Sequence, residues 1–459
     1  MKEDTLIPVV EEPENKEKSI IRDCHGNSYL KITQEELDSK TLESLEEEYD
    51  VKTIGEKGLH SLQDVAKSGR DFAREVEPNS GAVVYSPENK HGGFGDSISK
   101  TGNSVVRNYV NRLGGVMGTS VVAEKYAGQN AYQCLSMEDK DLREVPITGS
   151  VTDAVEKSEI EPEYFVLGIA LPGGGLNGSW EKAIEEAMQM GLDIVTGFHE
   201  PLGDRDRWRK KAVSNNVKIY DVRKSPNKSE LEVAHGEIDG ASEESQMVKT
   251  PVILSAGLDS GVGKRTLQNQ IANEAEEDGY NVGRIATGQT GIMLGADRGI
   301  PADSIPADFL PGAVQNLIIG LENDEKDFDM YVVEGQSAAS HPAYGQVTLG
   351  IYHGVNPDIL VLSHDPDRDS LKIFPEDWDY PDADEELGAL EKITRSNREF
   401  PEVAAVNIHD IDNQDPDLSM SDKYKSESMV LGDVMKEGSS ERLWNAVKAE
   451  IDMKDGGGQ

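Results

Sequence analysis

Residues 250–266, Thr-Pro-Val-Ile-Leu-Ser-Ala-Gly-Leu-Asp-Ser-Gly-Val-Gly-Lys-Arg-Thr, run from an apolar, β-branched stretch through a glycine-rich turn to a lysine. This order constrains the fold more than any other stretch. It predicts a strand, a tight turn whose backbone N–H groups can face an anion, and a helix that presents its positive end to the same point. Gly257, Gly261 and Gly263 free the turn, Lys264 supplies a point charge, and Asp259 and Thr266 complete the set of expected phosphate-contacting residues. Five residues rather than four separate Gly257 from Gly263, and Arg265 stands where a Ser or Thr would ordinarily ligate magnesium, with Thr266 one residue late. Phosphate binding is therefore expected, and ordinary magnesium-dependent nucleotide hydrolysis is not.

The rest of the chain supports an α/β architecture. Apolar runs at 82–85, 115–122, 164–170, 192–196 and 217–221 alternate with helical stretches, clearest at 180–190, and a second series follows at 252–255, 282–287, 330–333, 359–363 and 403–408. Recurrent strands with intervening helices predict parallel sheets, with ligands beyond the carboxyl ends of strands. The expected organisation is an acidic N-terminal extension (1–78), a Rossmann-like domain (79–225), a polar linker (226–248), a P-loop NTPase-like domain (249–410) and an acidic tail with one helix (411–459).

The chain of 459 residues has 86 acidic against 46 basic side chains, a formal charge of -40 spread along its length. Such a surface repels nucleic acid and anionic membranes, and dispersed acid fits a halophilic cytoplasm better than a basic partner. With Cys24 and Cys134 alone, no disulfide framework or Cys-x-x-Cys spacing is available. No apolar run reaches the roughly 18 residues of a membrane span. A cytoplasmic protein with no nucleic-acid or membrane partner is expected; no metal site is legible.

The strand ends carry the candidate chemistry. Glu334 closes the run Tyr331-Val-Val-Glu, a position suited to a metal, its water or a reacting substrate, although a carboxylate can equally cap the next turn. Gln289, within Thr287-Gly-Gln-Thr-Gly291, and Gln336 are side chains able to hydrogen-bond a ligand, and His341 and Tyr344 follow on the loop after Glu334. A lone histidine is usually structural. His341 lies seven residues from the strand-end carboxylate, however, and its ordinary pKa of about 6.5 suits proton removal, so it is the first candidate for a general base. Arg368, in His364-Asp-Pro-Asp-Arg, can clamp a carboxylate or phosphate, or pair with Asp365 or Asp367. In the first domain, Leu171-Pro-Gly-Gly-Gly-Leu-Asn-Gly-Ser179 opens a helix without the G-x-G-x-x-G spacing, and Lys100–Ser104, His199 and Glu200 are further pocket candidates.

Taken together, Gly257–Lys264, Ala286-Thr-Gly-Gln-Thr-Gly-Ile292, Ala307-Asp-Phe309, Val332-Val-Glu-Gly-Gln336, His341-Pro-Ala-Tyr344, Val347–Gly350 and His353-Gly354 resemble a two-domain family catalogued as a domain of unknown function, whose named members are D-glutamate N-acetyltransferases. Gly168–Gly174, Gly191–Val195, His199-Glu200 and Asp221–Lys224 carry the same resemblance into the first domain, so that it spans roughly 80–410. The phosphate loop is also similar to that of dethiobiotin synthetase, although Arg265 departs from the threonine there. The resemblance implies acetyl transfer from acetyl-CoA to the amine of an acidic amino acid, most directly D-glutamate. On that view the loop holds a CoA phosphate, His341 or Glu334 removes a proton, Gln289, Gln336 or glycine-turn amides stabilise the oxyanion, and Arg368, His199 and Glu200 bind substrate. A homo-oligomer is expected of this build. The alternatives are an ATP- and magnesium-dependent ligase or kinase-like enzyme, and a non-catalytic nucleotide-binding regulator.

Overall fold

The computed structural model describes residues 4–11, 20–22, 28–33, 52–53, 65–68, 71–72, 75–76, 80–85, 116–124, 127–131, 144–167, 178–198, 200–234, 248–324, 326–372, 378–394, 400–408, 420–434, 436 and 438–456. They fall into two compact units. One comprises Met1–Lys224 with Met293–Gly295, and the other Ser225–Ile292 with Ala296–Gln459.

In the first unit, β1 (Asp4–Glu11), β2 (Ile20–Arg22), β3 (Ser28–Thr33) and β4 (Lys52–Thr53) form an antiparallel sheet in the order β2-β3-β1-β4. A second sheet is parallel throughout. It contains β5 (Ala66–Ser68), β6 (Ser80–Tyr85), β7 (Val116–Val122), β8 (Ile147–Thr148), β9 (Pro162–Leu167), β10 (Asp193–Thr196) and β11 (Ile219–Asp221), in the order β5-β11-β10-β9-β6-β7-β8. Helices α1 (Val151–Lys157), α2 (Gly178–Gln189) and α3 (Asp206–Ser214) accompany it, and Ile184, Phe165 and Trp208 meet in one apolar core. Residues 66–68, assigned from sequence to an extension outside this domain, are its edge strand: Ala66, Lys67 and Ser68 pair with Ile219, Tyr220 and Asp221.

The second unit holds seven parallel strands: β12 (Val252–Gly257), β13 (Val282–Ala286), β14 (Arg298–Gly299), β15 (Met330–Glu334), β16 (Ile359–His364), β17 (Val403–Ile408) and β18 (Lys425–Gly432). Their order is β14-β13-β15-β12-β16-β17-β18. Parallel strands covered on both faces need near-continuous apolar sequence. Alternate side chains then enter two cores. Leu254, Val333, Leu360 and Val406 join one, with residues of α6 (Leu310–Glu322), α7 (Gly345–Val355) and α8 (Ala383–Thr394); α5 (Gln289–Met293) follows β13. Ile253, Val332 and Val361 join the other, with residues of α4 (Lys264–Glu277) and α9 (Ser439–Gly456).

Two sequence boundaries are corrected here. Residues 425–456, read as part of an acidic tail, add strand β18 beside β17 and helix α9, whose Leu443, Trp444, Val447 and Ile451 are buried against the sheet. The stripe formed by these residues has helical spacing, so burial rather than tail solvation is its natural state. Residue Leu231, read as linker, is buried in the second unit's core. Among the described residues no helix is long and apolar enough to cross a membrane.

Because β12 lies between β15 and β16, three carboxyl ends stand side by side. They carry the glycine-rich turn, Glu334 and His364 respectively. The chain leaves β12 toward β13 on one side and reaches β16 on the other, and ligand crevices form where such a sheet changes direction.

Candidate functional site

The loop between β12 and α4 owes its path to its glycines. Gly261 has φ 70° and Gly263 φ 101°, left-handed values that side chains with a β-carbon disfavour. The Ser255 hydroxyl donates to the carbonyl of Lys264 (2.7 Å), fixing the start of α4 on the end of the strand. Lys264 is buried, and its ammonium donates to the carbonyl of Asp259 across the loop (2.5 Å). Burial lowers its pKa to about 8, with Asp259 and Glu334 opposing the shift. The ammonium is thus charged at neutral pH but poorly solvated, and an arriving anion would relieve it.

Asp259 and Arg368, expected to face ligand, instead brace the loop. The Asp259 side chain is wholly buried. Its carboxylate accepts from its neighbour's amide at Ser260 (2.5 Å), from Arg368 Nη1 (2.7 Å) and from the amide of Lys372 (2.9 Å). Arg368 also donates through Nε to Asp365 Oδ2 (2.8 Å) and to the carbonyls of Ser260 (2.9 Å) and Gly261 (3.1 Å). Its fork is therefore spent on the loop itself, and clamping a substrate would require breaking these bonds.

Glu334 is buried at the end of β15. Its Oε2 accepts from the amides of Thr287 and Gly288 (3.2 Å each), and Oε1 lies 3.7 Å from Arg265 Nη1. Burial is the largest influence and raises its pKa; Arg265 and the two amides oppose it. A carboxyl group held above its ordinary range is suited to exchanging a proton near neutral pH. The Thr287 hydroxyl donates to the Glu334 carbonyl (2.7 Å) and accepts from Gln336 Nε2 (3.2 Å), so Gln336 lies beside the carboxylate. Gln289 opens α5 directly after these amides, half-buried. Thr266, in the first turn of α4, is also half-buried.

His341 is brought to the same edge, but not as a base. Its side chain is buried, and Nδ1 accepts from the amides of Ala343 and Tyr344 (3.1 Å each). An imidazole that accepts at Nδ1 carries its proton on Nε2, which here lies 3.8 Å from Asp259 Oδ1. Protonation at Nδ1 would break two hydrogen bonds. Burial also lowers its pKa, with Asp259 acting in the opposite sense. The general-base expectation is therefore corrected: His341 is a neutral imidazole whose Nδ1 is spent on amides of its own loop, with Nε2 facing Asp259 beyond hydrogen-bond distance. Tyr344, half-buried at the start of α7, contributes one of the fixing amides and holds its ring 4.9 Å from that of His341.

In the first unit, Glu200 pairs with Arg205 (2.5 Å) with its side chain 60% exposed, the geometry of a solvated ion pair rather than a pocket. His199, residues 100–104 and residues 168–177 lie outside the described residues.

Sequence reasoning missed three participants. Glu386 on α8 is buried and accepts from the amides of Ala339 and Ser340, holding the loop that carries His341. Ser337 in that loop has φ 30° and its hydroxyl accepts from Ser260 Oγ (3.3 Å), an unusual backbone state for a side chain with a β-carbon and one found at functional strand ends. Lys372 reaches Gly261: its Nζ lies 2.9 Å from where a β-carbon on that glycine would stand. None has a local sequence signal, since each meets a partner remote in the chain.

Comparison with known proteins agrees with this two-domain fold. A family profile described as a domain of unknown function, the DUF1611 C-terminal P-loop domain, matches residues 233–443. A companion profile, the DUF1611 N-terminal Rossmann-like domain, matches 124–225. Two proteins named D-glutamate N-acetyltransferase are similar to part of the chain. The one from Pseudoalteromonas sp is 31% identical over 217 residues, 47% of this chain and 60% of that protein. The one from Tritonibacter scottomollicae is 32% identical over 221 residues, 48% and 61% respectively. The matched part thus spans about three fifths of these curated relatives. A crystal structure of a DUF1611 family protein from Anabaena variabilis superposes with a TM-score of 0.63 at 25% identity, covering 81% of this chain and all of that one.

Proposed function

The chain belongs to the DUF1611 family, with its Rossmann-like and P-loop domains, and from that premise we propose that it is an N-acetyltransferase moving an acetyl group from acetyl-CoA to the amine of an acidic amino acid, D-glutamate first among them. The name shared by its two curated relatives supports the reaction. The observation that carries the reading is the pairing of Arg265 with the buried carboxylate of Glu334 at 3.7 Å. In a magnesium-using phosphate loop a hydroxyl would stand at Arg265 and the strand-end acid would serve the metal. Here a guanidinium fills that place, which disfavours the ATP-dependent ligase alternative and leaves the carboxylate available to a substrate.

The residues present fit the reactants. The amides of the glycine turn and the ammonium of Lys264 would take a phosphate of CoA. Acetyl-CoA supplies an activated thioester carbonyl. Glu334 would remove a proton from the substrate ammonium so that the free amine attacks that carbonyl; as the carbon–sulfur bond breaks, the thiolate would take that proton from Glu334, and the second proton on the new amide nitrogen would pass to the freed carboxylate and on to water, one proton being released per acetyl group transferred. Arg265, beside Glu334 and with a buried Nε that has no hydrogen-bond partner among the described residues, replaces Arg368 as the group for the substrate carboxylate. Gln336, whose Nε2 donates to the Thr287 hydroxyl beside Glu334, would donate to the charge that develops on the thioester oxygen.

The direct test is incubation of the purified full-length chain with acetyl-CoA and D-glutamate, L-glutamate or D-aspartate at high salt, with free thiol and acetylated product both measured. Release of thiol that depends on one of these amines supports the proposal. Turnover only with ATP and magnesium would replace it with the ligase reading.

A further inference from the structure

Four basic side chains gather at the phosphate loop, and the structure assigns three of them. Arg368 is engaged by Asp259 and Asp365, Arg265 faces Glu334, and Lys264 donates to the carbonyl of Asp259. Lys372 is the fourth. Its backbone is anchored by the bond from its amide to Asp259 Oδ2 (2.9 Å), and its side chain lies across Gly261, with Nζ 2.9 Å, Cδ 3.7 Å and Cε 3.9 Å from the β-carbon position of that glycine. The carboxylates that act on it electrostatically include Asp259 and Asp365, both already bound to Arg368.

We propose that Lys372 is a second phosphate-contacting cation of this site, meeting at Gly261 the same ligand that Lys264 and the turn amides hold. Three observations converge on it. Gly261 takes a left-handed φ of 70°, and the Lys372 ammonium lies over it, 2.9 Å from where a β-carbon would stand, so the lysine's charge rests against the turn. The anchoring of its amide on Asp259 fixes where the side chain starts. Among the described residues four cations meet three carboxylates at the loop, and two of these, Asp259 and Asp365, are already engaged by Arg368. Although Lys372 is exposed along much of its length, burial, and secondly the adjacent Arg368, lower the pKa of its amine. Such an ammonium gains from an incoming phosphate more than a fully hydrated lysine does.

The inference rests on the acetyl-CoA reading only for which phosphate compound arrives. The test is calorimetric titration of the full chain, Lys372→Gln and Lys372→Arg with CoA, pyrophosphate and ATP at one fixed salt concentration, accompanied by thermal unfolding without ligand. Lys372→Gln should weaken binding about tenfold, the loss of one charge-assisted contact, while Lys372→Arg stays within about threefold of the unaltered chain. The unliganded unfolding temperature should not move. If pyrophosphate or ATP binding shows this pattern and CoA does not bind, Lys372 keeps its role and the acetyltransferase reading fails. Equal binding by Lys372→Gln, a fall in unliganded stability that accounts for the loss, or absence of binding by the unaltered chain to all three compounds overturns the assignment.

Discussion

Replacing Asp259 by Ala tests whether a buried carboxylate, rather than the glycines alone, shapes the phosphate loop. The side chain is wholly buried and accepts from Ser260 N, Arg368 Nη1 and Lys372 N at 2.5, 2.7 and 2.9 Å. Removing one partner of a buried ion pair costs about 3–5 kcal/mol, because the other charge is left without compensation. Arg368 keeps Asp365 at 2.8 Å and a side chain 15% exposed, so the lower end applies, about 3 kcal/mol. For a unit of this size that is a fall of roughly 6–12 °C in unfolding temperature. Hydrogen-exchange mass spectrometry at high salt, read on peptides covering β12 and α4, measures the change in the unit concerned. The double variant Asp259→Ala/Arg368→Leu should recover at least about 1 kcal/mol relative to the sum of the single effects, since it removes both charges together. A loss below about 0.5 kcal/mol for Asp259→Ala, or strict additivity in the double variant, would show that the carboxylate does not brace the loop.

Other perturbations separate the remaining roles. Glu334→Gln should lower kcat by roughly 10²–10⁴ with little change in unfolding temperature. Because the base must be ionised and its pKa is raised, the unaltered enzyme should gain rate with rising pH through a midpoint above the ordinary glutamate value, a limb absent from the variant; near-normal turnover of Glu334→Gln refutes the assignment. Arg265→Leu should raise KM for the amino acid about tenfold and leave KM for acetyl-CoA unchanged, and the reverse split would move Arg265 to the phosphate side. Nitrogen-15 shifts of His341 should report a neutral ring protonated at Nε2 at neutral pH, with a titration midpoint below the ordinary histidine value. Its folded pKa is depressed, so its contribution to stability is complete above about 6.5, the unfolded value, and is lost as pH falls toward the folded value; His341→Gln should flatten that acid limb, and an unchanged limb would exclude His341 as its source. Gly335→Ala would set a β-carbon 2.3 Å from the carbonyl oxygen of Ser255, pressing β15 against β12, and should cost about 1–3 kcal/mol in denaturant unfolding.

What could be read from residue order was local. The strand, glycine turn and lysine of 252–264 are consecutive, so their joint geometry follows from φ preferences and strand propensity without knowledge of the rest of the chain. The strand ending in Glu334 was legible for the same reason, and so was the alternation that signals parallel sheets. The helical stripe of Leu443, Trp444, Val447 and Ile451 was equally available, but the acidic residues around it masked a core element.

Several residues misread or missed have partners far along the chain. Arg368 sits beside Asp365 and Asp367 in sequence, but its shortest bond is to Asp259, 109 positions away, and only the adjacency of β12 and β16 creates that pair. Lys372 reaches Gly261, and Glu386 the amides of 339 and 340, by the same long-range packing. For His341 the residue type suggested proton exchange, whereas two backbone amides occupy Nδ1 and leave the proton on Nε2. Residue order thus determined the strand, glycine turn and helix start of 252–264, because that geometry belongs to a short run of backbone. Tertiary structure decided which surrounding charges remain for chemistry, because a charge is spent or left over only when the strands that carry its partners lie side by side.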